Sequence, residues 1–410
     1  MATLRDLELF DGRRDDSIAI LVGPNGSGKS TFLRALAESY RYENVIAVSN
    51  TPHDRFARMR GIRRISASRS DHTPPNLVKR AVARSLDADD SSFHQISAIM
   101  EYCGYASRFG FRIEKAKHYG SSFEDLRLML ESGRGDPTDD DVTWDGALDY
   151  DEELRRALAF FKRHDPKEVV WIDASRSAFE FSLTREFVSV IRCEVILRRL
   201  KVIGRLEVML QRGDPQGTVI EMHWASSGQL ALISSLLFLI TEAGRNPIIL
   251  IDEPENSLHP SWQREYVDKL MAAMAYRDAT LIVATHAPLV VTGALNDAPS
   301  KVSVFRVRDG QPTRLEIDAS VSPNSIEEIL WEAFGVVTPA NHFVSEEIVR
   351  AISRFEDDEI GKEKVLELIG ALEARSFDDR QQRFFEAVRH LVDKVERAKA
   401  GIDDGDSGFA

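Results

Sequence analysis

Short runs of β-branched and apolar residues recur along the chain, and turn residues bound each run. The runs do not alternate apolar with polar positions, which is typical of strands buried on both faces of a sheet. Helical patterns lie between them, so the sequence predicts a mostly parallel α/β sheet. The runs are SIAILVG from residue 17, NVIAVSN from 44, EVVWID from 168, PIILIDE from 247 and TLIVATH from 280.

The spacing of these runs is uneven, because more than a hundred residues separate NVIAVSN from EVVWID. A connection of that length is too long for a compact crossover. We therefore expect an insertion over 51–217 that is largely helical, with one sheet strand near 168–173. Within it, the apolar stripe of residues 183–213 predicts one long helix ending at a glycine.

The sheet-forming part of the chain is expected to come from two segments, 1–50 and 218–324. Beyond TLIVATH, the stretch KVSVFRVRDGQPTRLEID predicts a β-hairpin that turns at its Asp-Gly pair. The charged helical pattern of 325–400 predicts a C-terminal helical lobe, and 401–410 predicts a disordered tail.

A phosphate-binding loop is predicted at GPNGSGKST, which follows a strand and leads into a helix. This context is the one that the G-x-x-x-x-G-K-[ST] pattern requires. Backbone N–H groups and the helix N-terminus bind the phosphates. Lys29 reaches the β and γ phosphates, and the Ser30 hydroxyl ligates Mg²⁺. The predicted nucleotide-binding residues of this loop are Asn25, Gly26, Ser27, Gly28, Lys29, Ser30 and Thr31.

Two carboxylates end the strand PIILIDE, and they are predicted to do different work. Asp252 holds Mg²⁺, while Glu253 orients and deprotonates the attacking water. The next strand delivers His286 at its carboxyl end, where ligands gather in open α/β sheets. There it senses the γ-phosphate or positions the water; the alternative is a histidine that only caps the following helix. Glu253, His286 and Lys29 are the predicted catalytic residues, with ATP and Mg²⁺ as cofactors.

Taken in order, GPNGSGKST, ASSGQ at 225–229, DEPENSLHP and ATH resemble the ATPases of the ABC superfamily. That resemblance predicts the fold of a P-loop NTPase, an ABC-type ATPase head. It also implies that ASSGQ is the signature loop, in which Ser226, Gly228 and Gln229 bind the γ-phosphate on a second subunit's P-loop. Two ATPs would then close inside a homodimer, or inside a higher homo-oligomer built from dimers.

The sequence departs from the superfamily pattern at several positions. Ala225 and Ser227 replace a usual leucine and a usual glycine. No glutamine follows the second strand, where the superfamily has its Q-loop, and Asn50 and His53 are the candidates to replace it. For adenine, the right region holds Phe10 and Arg13, but neither is a clear stacking residue.

ENSLHPSWQ, THAP and SIEEILWEAFGV are similar to the RecF- and OLD-like group of ABC ATPases. This group includes SMC and DNA-repair ATPases and antiphage-defence ATPases such as those of Septu and PARIS systems. The resemblance implies an ATP-driven sensor or scaffold that controls a separate effector, a nuclease or toxin, in prokaryotic antiphage defence. A DNA-repair or chromosome-associated clamp is the alternative, and a transporter motor is a third reading. No nuclease motif is recognisable after THAP.

Composition places few limits on these readings. A chain of 410 residues with 43% hydrophobic and 29% charged residues is an ordinary globular protein. The longest apolar run, LALISSLLFLI, is about half of the roughly 20 residues that a membrane span needs. The polar N-terminus resembles no signal peptide, so we expect a cytoplasmic protein without a membrane partner. Cys103 and Cys193 have no metal or redox spacing and are read as packing thiols.

Charge is segregated along the chain, although its net value is −13. Residues 54–84 carry many arginines against two aspartates, whereas 136–153 are acidic without a basic residue. Such blocks are most often solvated surface. For the basic stretch 55–84 we also consider contact with an anionic partner, with nucleic acid as the first candidate.

Overall fold

Two β-sheets and their covering helices make up the regular structure of the chain. The computed structural model describes residues 2–9, 17–51, 54–66, 73–87, 92–131, 149–165, 167–173, 181–214, 216–315, 342–373 and 379–399. The sequence-based expectations for Phe10, Arg13, His53 and the tail 401–410 lie outside the described residues.

The strands of the described residues fall into a seven-stranded and a four-stranded sheet. They are β1 (Ser17–Val22), β2 (Val45–Ser49), β3 (Arg63–Ser66), β4 (Tyr105–Lys115), β5 (Val170–Asp173), β6 (Ile203–Arg212), β7 (Val219–Glu221), β8 (Ile248–Asp252), β9 (Thr280–Thr285), β10 (Val302–Arg308) and β11 (Gln311–Arg314). The main sheet has the order β11-β10-β1-β9-β8-β2-β3, and the second sheet has the order β5-β4-β6-β7.

Helices cover both faces of the main sheet and continue beyond it. They are α1 (Lys29–Ser39), α2 (Pro74–Asp87), α3 (Ser92–Tyr102), α4 (Phe123–Glu131), α5 (Tyr150–Arg163), α6 (Phe181–Arg192), α7 (Glu194–Arg199), α8 (Ser227–Glu242), α9 (Pro260–Ala273), α10 (Pro288–Asp297), α11 (His342–Glu356), α12 (Lys362–Glu373) and α13 (Asp379–Lys399). Short 3-10 turns lie at Leu4–Leu7 and Met222–Trp224.

The main sheet is parallel except at its β10–β11 edge. In β1, Ile18, Ile20 and Val22 pack into the core that includes α8, α9 and α10, whereas Ala19 and Leu21 pack into the core that includes α1. All five side chains are buried. Burial on both faces explains why the strand sequences do not alternate, and the mixed α/β fold of a P-loop NTPase is confirmed.

The predicted hairpin after β9 is also confirmed. Strands β10 and β11 pair in antiparallel fashion, with Arg308 opposite Gln311. Asp309 and Gly310 connect them with φ values of 50° and 76°. Two positive φ angles in a two-residue turn are what an Asp-Gly pair favours.

The insertion contains more β-structure than its periodicity predicted. Helices α2 to α7 lie there, but EVVWID supplies β5, which pairs in antiparallel fashion with β4 in the second sheet. It is therefore not a strand of the main sheet. Local pairing between β4 and β5 satisfies its backbone without a crossover.

The single long helix predicted over 183–213 is wrong. The helical part ends at Arg199, and Lys201 adopts a left-handed φ of 55° before β6 begins. In β6, Leu206, Val208, Met209 and Leu210 are buried, while Arg205 is exposed and Glu207 is only partly buried. Burial alternates from Arg205 to Val208, as in a strand, and this alternation follows directly on a helical pattern.

Beyond the main sheet, α11, α12 and α13 pack around an apolar cluster of their own. Its most deeply buried side chains are Val365, Ile369, Leu372, Phe385 and Val392. Among the described residues, no helix combines the length and apolar character needed to cross a bilayer. Both cysteines are buried thiols, and burial raises the pKa of each to about 12.

Close contact between α9 and α10 gives the first test. A Cβ on Gly293 of α10 would lie 1.7 Å from the backbone carbonyl oxygen of Arg264 in α9. Gly293→Ala should therefore push the two helices apart and cost at least about 2 kcal/mol of unfolding free energy. Gly361→Ala is the matched control, because its Cβ would meet no atom within 4 Å. Urea unfolding measures both, and equal midpoints would contradict the close approach of the helices.

Candidate nucleotide site

Three neighbouring parallel strands bring the predicted site residues to one edge of the main sheet. Val22 at the end of β1 lies opposite Thr285 of β9, and Asp252 at the end of β8 lies opposite Ala284. The P-loop begins directly after Val22, Glu253 follows Asp252, and His286 follows Thr285. Open α/β sheets bind ligands at this carboxyl edge.

The P-loop lysine is buried against its own loop. Lys29 begins α1, is 4% exposed, and its Nζ donates to the carbonyl oxygens of Gly23 at 2.7 Å and Pro24 at 3.2 Å. Burial lowers the pKa of Lys29, although three nearby carboxylates oppose that change. Asn25, Gly26 and Thr31 are exposed to solvent. The exposed face of the loop is therefore available to phosphate.

The β10–β11 hairpin contacts the P-loop, a contact that the sequence did not predict. Gly310 N–H donates to the Ser27 carbonyl oxygen at 2.9 Å. A Cβ on Gly28, whose φ is 99°, would lie 2.7 Å from backbone atoms of Gly310. Glycine is thus required at residue 28 both by its backbone angle and by this close approach.

Ser30 and Asp252 lie together as a Mg²⁺ site requires. Ser30 Oγ donates to Asp252 Oδ1 at 2.9 Å, and the buried Asp252 Oδ2 has no hydrogen-bond partner. Hard oxygen donors of this kind fit Mg²⁺, which takes its other ligands from phosphate and water. No cluster of three or more His, Cys, Asp or Glu able to hold a metal occurs in the described part of the chain.

Burial acts strongly on Asp252, which is 1% exposed. Desolvation raises its pKa to about 6, the hydrogen bond from Ser30 and the charge of Lys29 lower it, and the charges of Glu253 and Glu255 raise it further. The unliganded site therefore holds more negative charge than its lysine balances. A bound divalent cation would correct that imbalance.

The loop after β8 fixes the predicted general base. Glu253 has a left-handed φ of 50°, and its N–H donates to the Ala284 carbonyl oxygen at 2.9 Å. Its Oε2 accepts from Asn256 Nδ2 at 3.1 Å.

Asn50 lies beside this loop. Its N–H donates to the Asp252 carbonyl oxygen at 3.2 Å, and its Nδ2 donates to the Pro254 carbonyl oxygen at 3.4 Å. Asn50 is thus close to the metal site, in the region expected of a Q-loop substitute.

Glu255 is a third site carboxylate, and sequence reasoning missed it. Its Oε1 accepts from the His286 backbone N–H at 2.7 Å and lies 3.0 Å from His286 Nδ1. The same nitrogen lies 3.8 Å from Glu253 Oε1. Glu255 has a side chain only 4% exposed, whereas that of His286 is 40% exposed. A buried carboxylate therefore fixes the backbone of residue 286 and lies beside its imidazole, although Nδ1 makes no hydrogen bond in this arrangement.

The signature loop starts helix α8. Ser226 is the N-cap: its Oγ accepts from Gln229 N–H at 3.2 Å, and Gln229 Oε1 accepts from Ser226 N–H at 3.1 Å. Ser226 and Ser227 are exposed, and Gly228 is buried. A Cβ on Gly228 would lie 2.3 Å from the Ser257 carbonyl oxygen, in the loop after β8. Gly228 therefore lets the signature loop pack directly on the segment that carries the acidic residues.

Gln229, predicted to bind nucleotide, also makes contacts within the chain. Besides Ser226, its Oε1 accepts from Tyr105 Oη at 2.8 Å, and its Nε2 donates to the Cys103 carbonyl oxygen at 2.9 Å. These bonds connect the start of α8 to the second sheet at β4. The Gln229 side chain accordingly positions the loop, while the exposed Ser226 faces solvent.

Several arginines of the 55–84 stretch make contacts within the chain. Arg63 donates to Asn44 Oδ1 and to the Glu242 carbonyl oxygen, and Arg64 donates to the Phe56 carbonyl oxygen. Arg84 pairs with Glu242 at 2.9 Å. These three arginines connect the edge strand and α2 to their neighbours, so their number is not by itself a sign of an anionic partner.

The fold is that of a P-loop NTPase of the ABC type. Two family matches support this superfamily: ABC transporter over residues 13–120, and the family described as "AAA domain, putative AbiEii toxin, Type IV TA system" over residues 115–292. The chain is also 28% identical over 135 residues to Protein ea59 of Escherichia phage lambda. That match covers 32% of this chain and 25% of the phage protein, so the two share only a part.

The Glu255–His286 contact gives the second test. If Glu255 acts by orienting His286, Glu255→Gln should lower kcat for ATP with little change in KM. The loss should stay below the roughly 10² to 10⁴ that a positioned proton-transfer group supplies. In a His286→Gln background the same substitution should have almost no further effect. Additive losses in the double variant, with folding intact by thermal melt, would show that Glu255 acts independently of His286.

Proposed function

We propose that this chain hydrolyses ATP in a site closed by two copies of itself, and that it acts as a sensor or scaffold controlling a separate effector in prokaryotic antiphage defence. The single observation behind the shared site is the exposure of Ser226 and Ser227 at the start of α8. The signature loop is folded, capped and held on the acidic loop, yet its hydroxyl-bearing face is open to solvent.

A helix start of this kind binds anions. The first N–H groups of α8 lack intrahelical partners, and the Ser226 side chain satisfies only that of Gln229. The remaining N–H groups and the helix dipole favour a negative ligand. In a two-fold dimer the γ-phosphate on the partner's P-loop is such a ligand, and the same contact repeats at the second site.

The hydrolytic step follows from the residues at the carboxyl edge. Lys29 and the P-loop N–H groups hold the phosphates, and Ser30 with Asp252 would hold Mg²⁺, which neutralises phosphate charge. Glu253 takes the proton of the attacking water. His286, oriented by Glu255, donates to the γ-phosphate or the water from the neighbouring strand.

Three observations support the antiphage role. The second family match carries the words toxin and TA system in its description, and the similar protein ea59 comes from a phage. The sequence resembles defence ATPases and shows no nuclease motif, so a partner would carry the damaging activity. The alternative is a DNA-repair clamp. Purification of the chain from its host separates the two, because a toxic partner supports the first reading, whereas a preference for duplex ends over internal duplex and single strands supports the second.

The third test concerns the general base. Glu253→Gln should bind ATP with near-normal affinity, because Lys29, Ser30 and Asp252 still hold the nucleotide and metal. Turnover should fall by roughly 10² to 10⁴, since an amide cannot accept the water's proton. ATP should also hold this variant as a dimer on a sizing column. Near-normal phosphate release would disprove the assignment of Glu253.

The fourth test separates the P-loop from the signature loop. Lys29→Ala and Ser226→Arg should each be inactive. In a mixed dimer, the intact P-loop of one chain faces the intact signature loop of the other, and one complete site returns. Random 1:1 mixing makes about half of the dimers mixed, so roughly a quarter of wild-type turnover should return if the sites act independently.

Ser226 is also the N-cap of α8, so its substitution costs about 1 kcal/mol of stability. Ser227→Arg serves as a second blocking variant, because it leaves the cap in place. Differently tagged subunits isolate the mixed dimers. If purified mixed dimers bind ATP at one site but neither hydrolyse it nor close around it, the signature loop does not act across the dimer.

A further inference from the structure

A groove on the insertion, away from the nucleotide site, is lined by arginine and lysine side chains. It has a volume of about 480 Å³ and lies where α7 ends and β6 begins. Arg198, Arg199 and Lys201 line it, together with Ala116 and Gly204. Its lining therefore includes three cationic side chains and no carboxylate.

Backbone hydrogen bonds fix the two segments that form this groove. Ala116 N–H donates to the Val202 carbonyl oxygen at 3.2 Å, and His118 N–H donates to that of Lys201 at 2.8 Å. The end of β4 is thus joined to the start of β6. The exposed side chains of Lys115 and Lys117 flank Ala116 on the first segment. Five cations consequently lie on two short, bonded segments; they are Lys115, Lys117, Arg198, Arg199 and Lys201.

Arg198 and Lys201 are exposed, and they carry the charge that the acidic residues nearest in sequence do not neutralise. Arg199 is partly buried and has a contact of its own, and Lys115 Nζ lies 5.2 Å from the centroid of the Tyr119 ring. Glu194 pairs with the buried Lys79 at 2.7 Å. Glu114 borders the groove, because its Oε2 would lie 2.6 Å from a Cβ on Gly204, and it accepts from Arg205 N–H at 3.2 Å. Within the described part of the chain, Arg198 and Lys201 form no ion pair. A chain of net charge −13 thus concentrates exposed positive charge in one concave place.

We propose that this groove binds the phosphodiester backbone of nucleic acid. Exposed cations repel one another unless an anion is present, and arginine and lysine on separate segments match a ligand that repeats its negative charge along its length. Contacts of this kind release counterions and do not depend on sequence. The 55–84 stretch is a poorer candidate, because Arg63, Arg64 and Arg84 contact other parts of the chain.

Binding to nucleotide-free protein tests this proposal without involving ATP hydrolysis. Fluorescence anisotropy with a labelled 20-mer, single-stranded and duplex, gives the affinity between about 50 and 200 mM salt. For Arg198→Glu with Lys201→Glu we expect at least a tenfold weaker affinity at low salt. The slope of log affinity against log salt should become shallower by about two, roughly one for each lost phosphate contact.

A matched control removes the effect of net charge. Arg5→Glu with Arg245→Glu makes the same charge change at exposed positions outside the groove, and its affinity and slope should stay near those of the wild type. Arg198→Gln with Lys201→Gln covers the case in which charge reversal disturbs folding, and it should give a partial loss. Thermal melts check that each variant folds.

Three results would overturn the proposal. The first is wild-type protein that binds neither oligonucleotide at 50 mM salt. The second is an equal loss in the groove variant and in the matched control. The third uses inorganic tripolyphosphate as a competitor: if the groove variant loses tripolyphosphate binding but keeps its oligonucleotide affinity, the groove takes a small phosphate ligand and not nucleic acid.

Discussion

The nucleotide site depends on one electrostatic constraint, the crowding of three carboxylates, two of them buried, around a single buried lysine. Burial raises the pKa of Asp252 to about 6 and lowers that of Lys29, so both groups are held in an environment that disfavours their charged forms. Because the folded pKa of Asp252 exceeds its ordinary value of 3.8, it stabilises the fold below pH 3.8 and loses that effect as the pH rises through 6. At neutral pH the buried charge of Asp252 lowers the stability of the fold, and a bound cation and a phosphate-bound Lys29 would offset that loss. ATP with Mg²⁺ would supply both the cation and the phosphate.

This constraint explains why distant segments must pack so closely at one edge of the sheet. Asp252 needs Ser30 from α1, and His286 needs Glu255 from the loop after β8. Two close backbone contacts at glycine residues position the hairpin tip and the signature loop. Gly28 admits the hairpin tip at Gly310, and Gly228 admits the backbone of Ser257. The signature loop and the P-loop are therefore both built on contacts that a methyl group would block.

Sequence patterns predicted the parts of this site that a single segment encodes. The P-loop, the acidic pair and His286 each follow a strand, so the period of the strand and the chemistry of the next residues sufficed. Glu255 was missed because its role exists only once β8 and β9 lie side by side. Strand β6 was missed because it follows α7 after only three residues, none of them glycine or proline, so its apolar residues were read as a continuation of the helix. Gly310 could not be assigned to the P-loop, because residues 27 and 310 are far apart in the sequence and meet only in the folded chain.

One end of the second sheet contacts the start of the signature helix. Strands β4 and β6 pair from Tyr105 opposite Arg212 to Lys115 opposite Ile203. At the first end, Tyr105 and Cys103 bond to Gln229 at the start of the signature helix. At the other end lies the cationic groove, about 30 Å away for a strand of this length. The two bonds to Tyr105 and Cys103 make the start of the signature helix depend on the insertion as well as on the main sheet, because Gln229 also caps that helix together with Ser226.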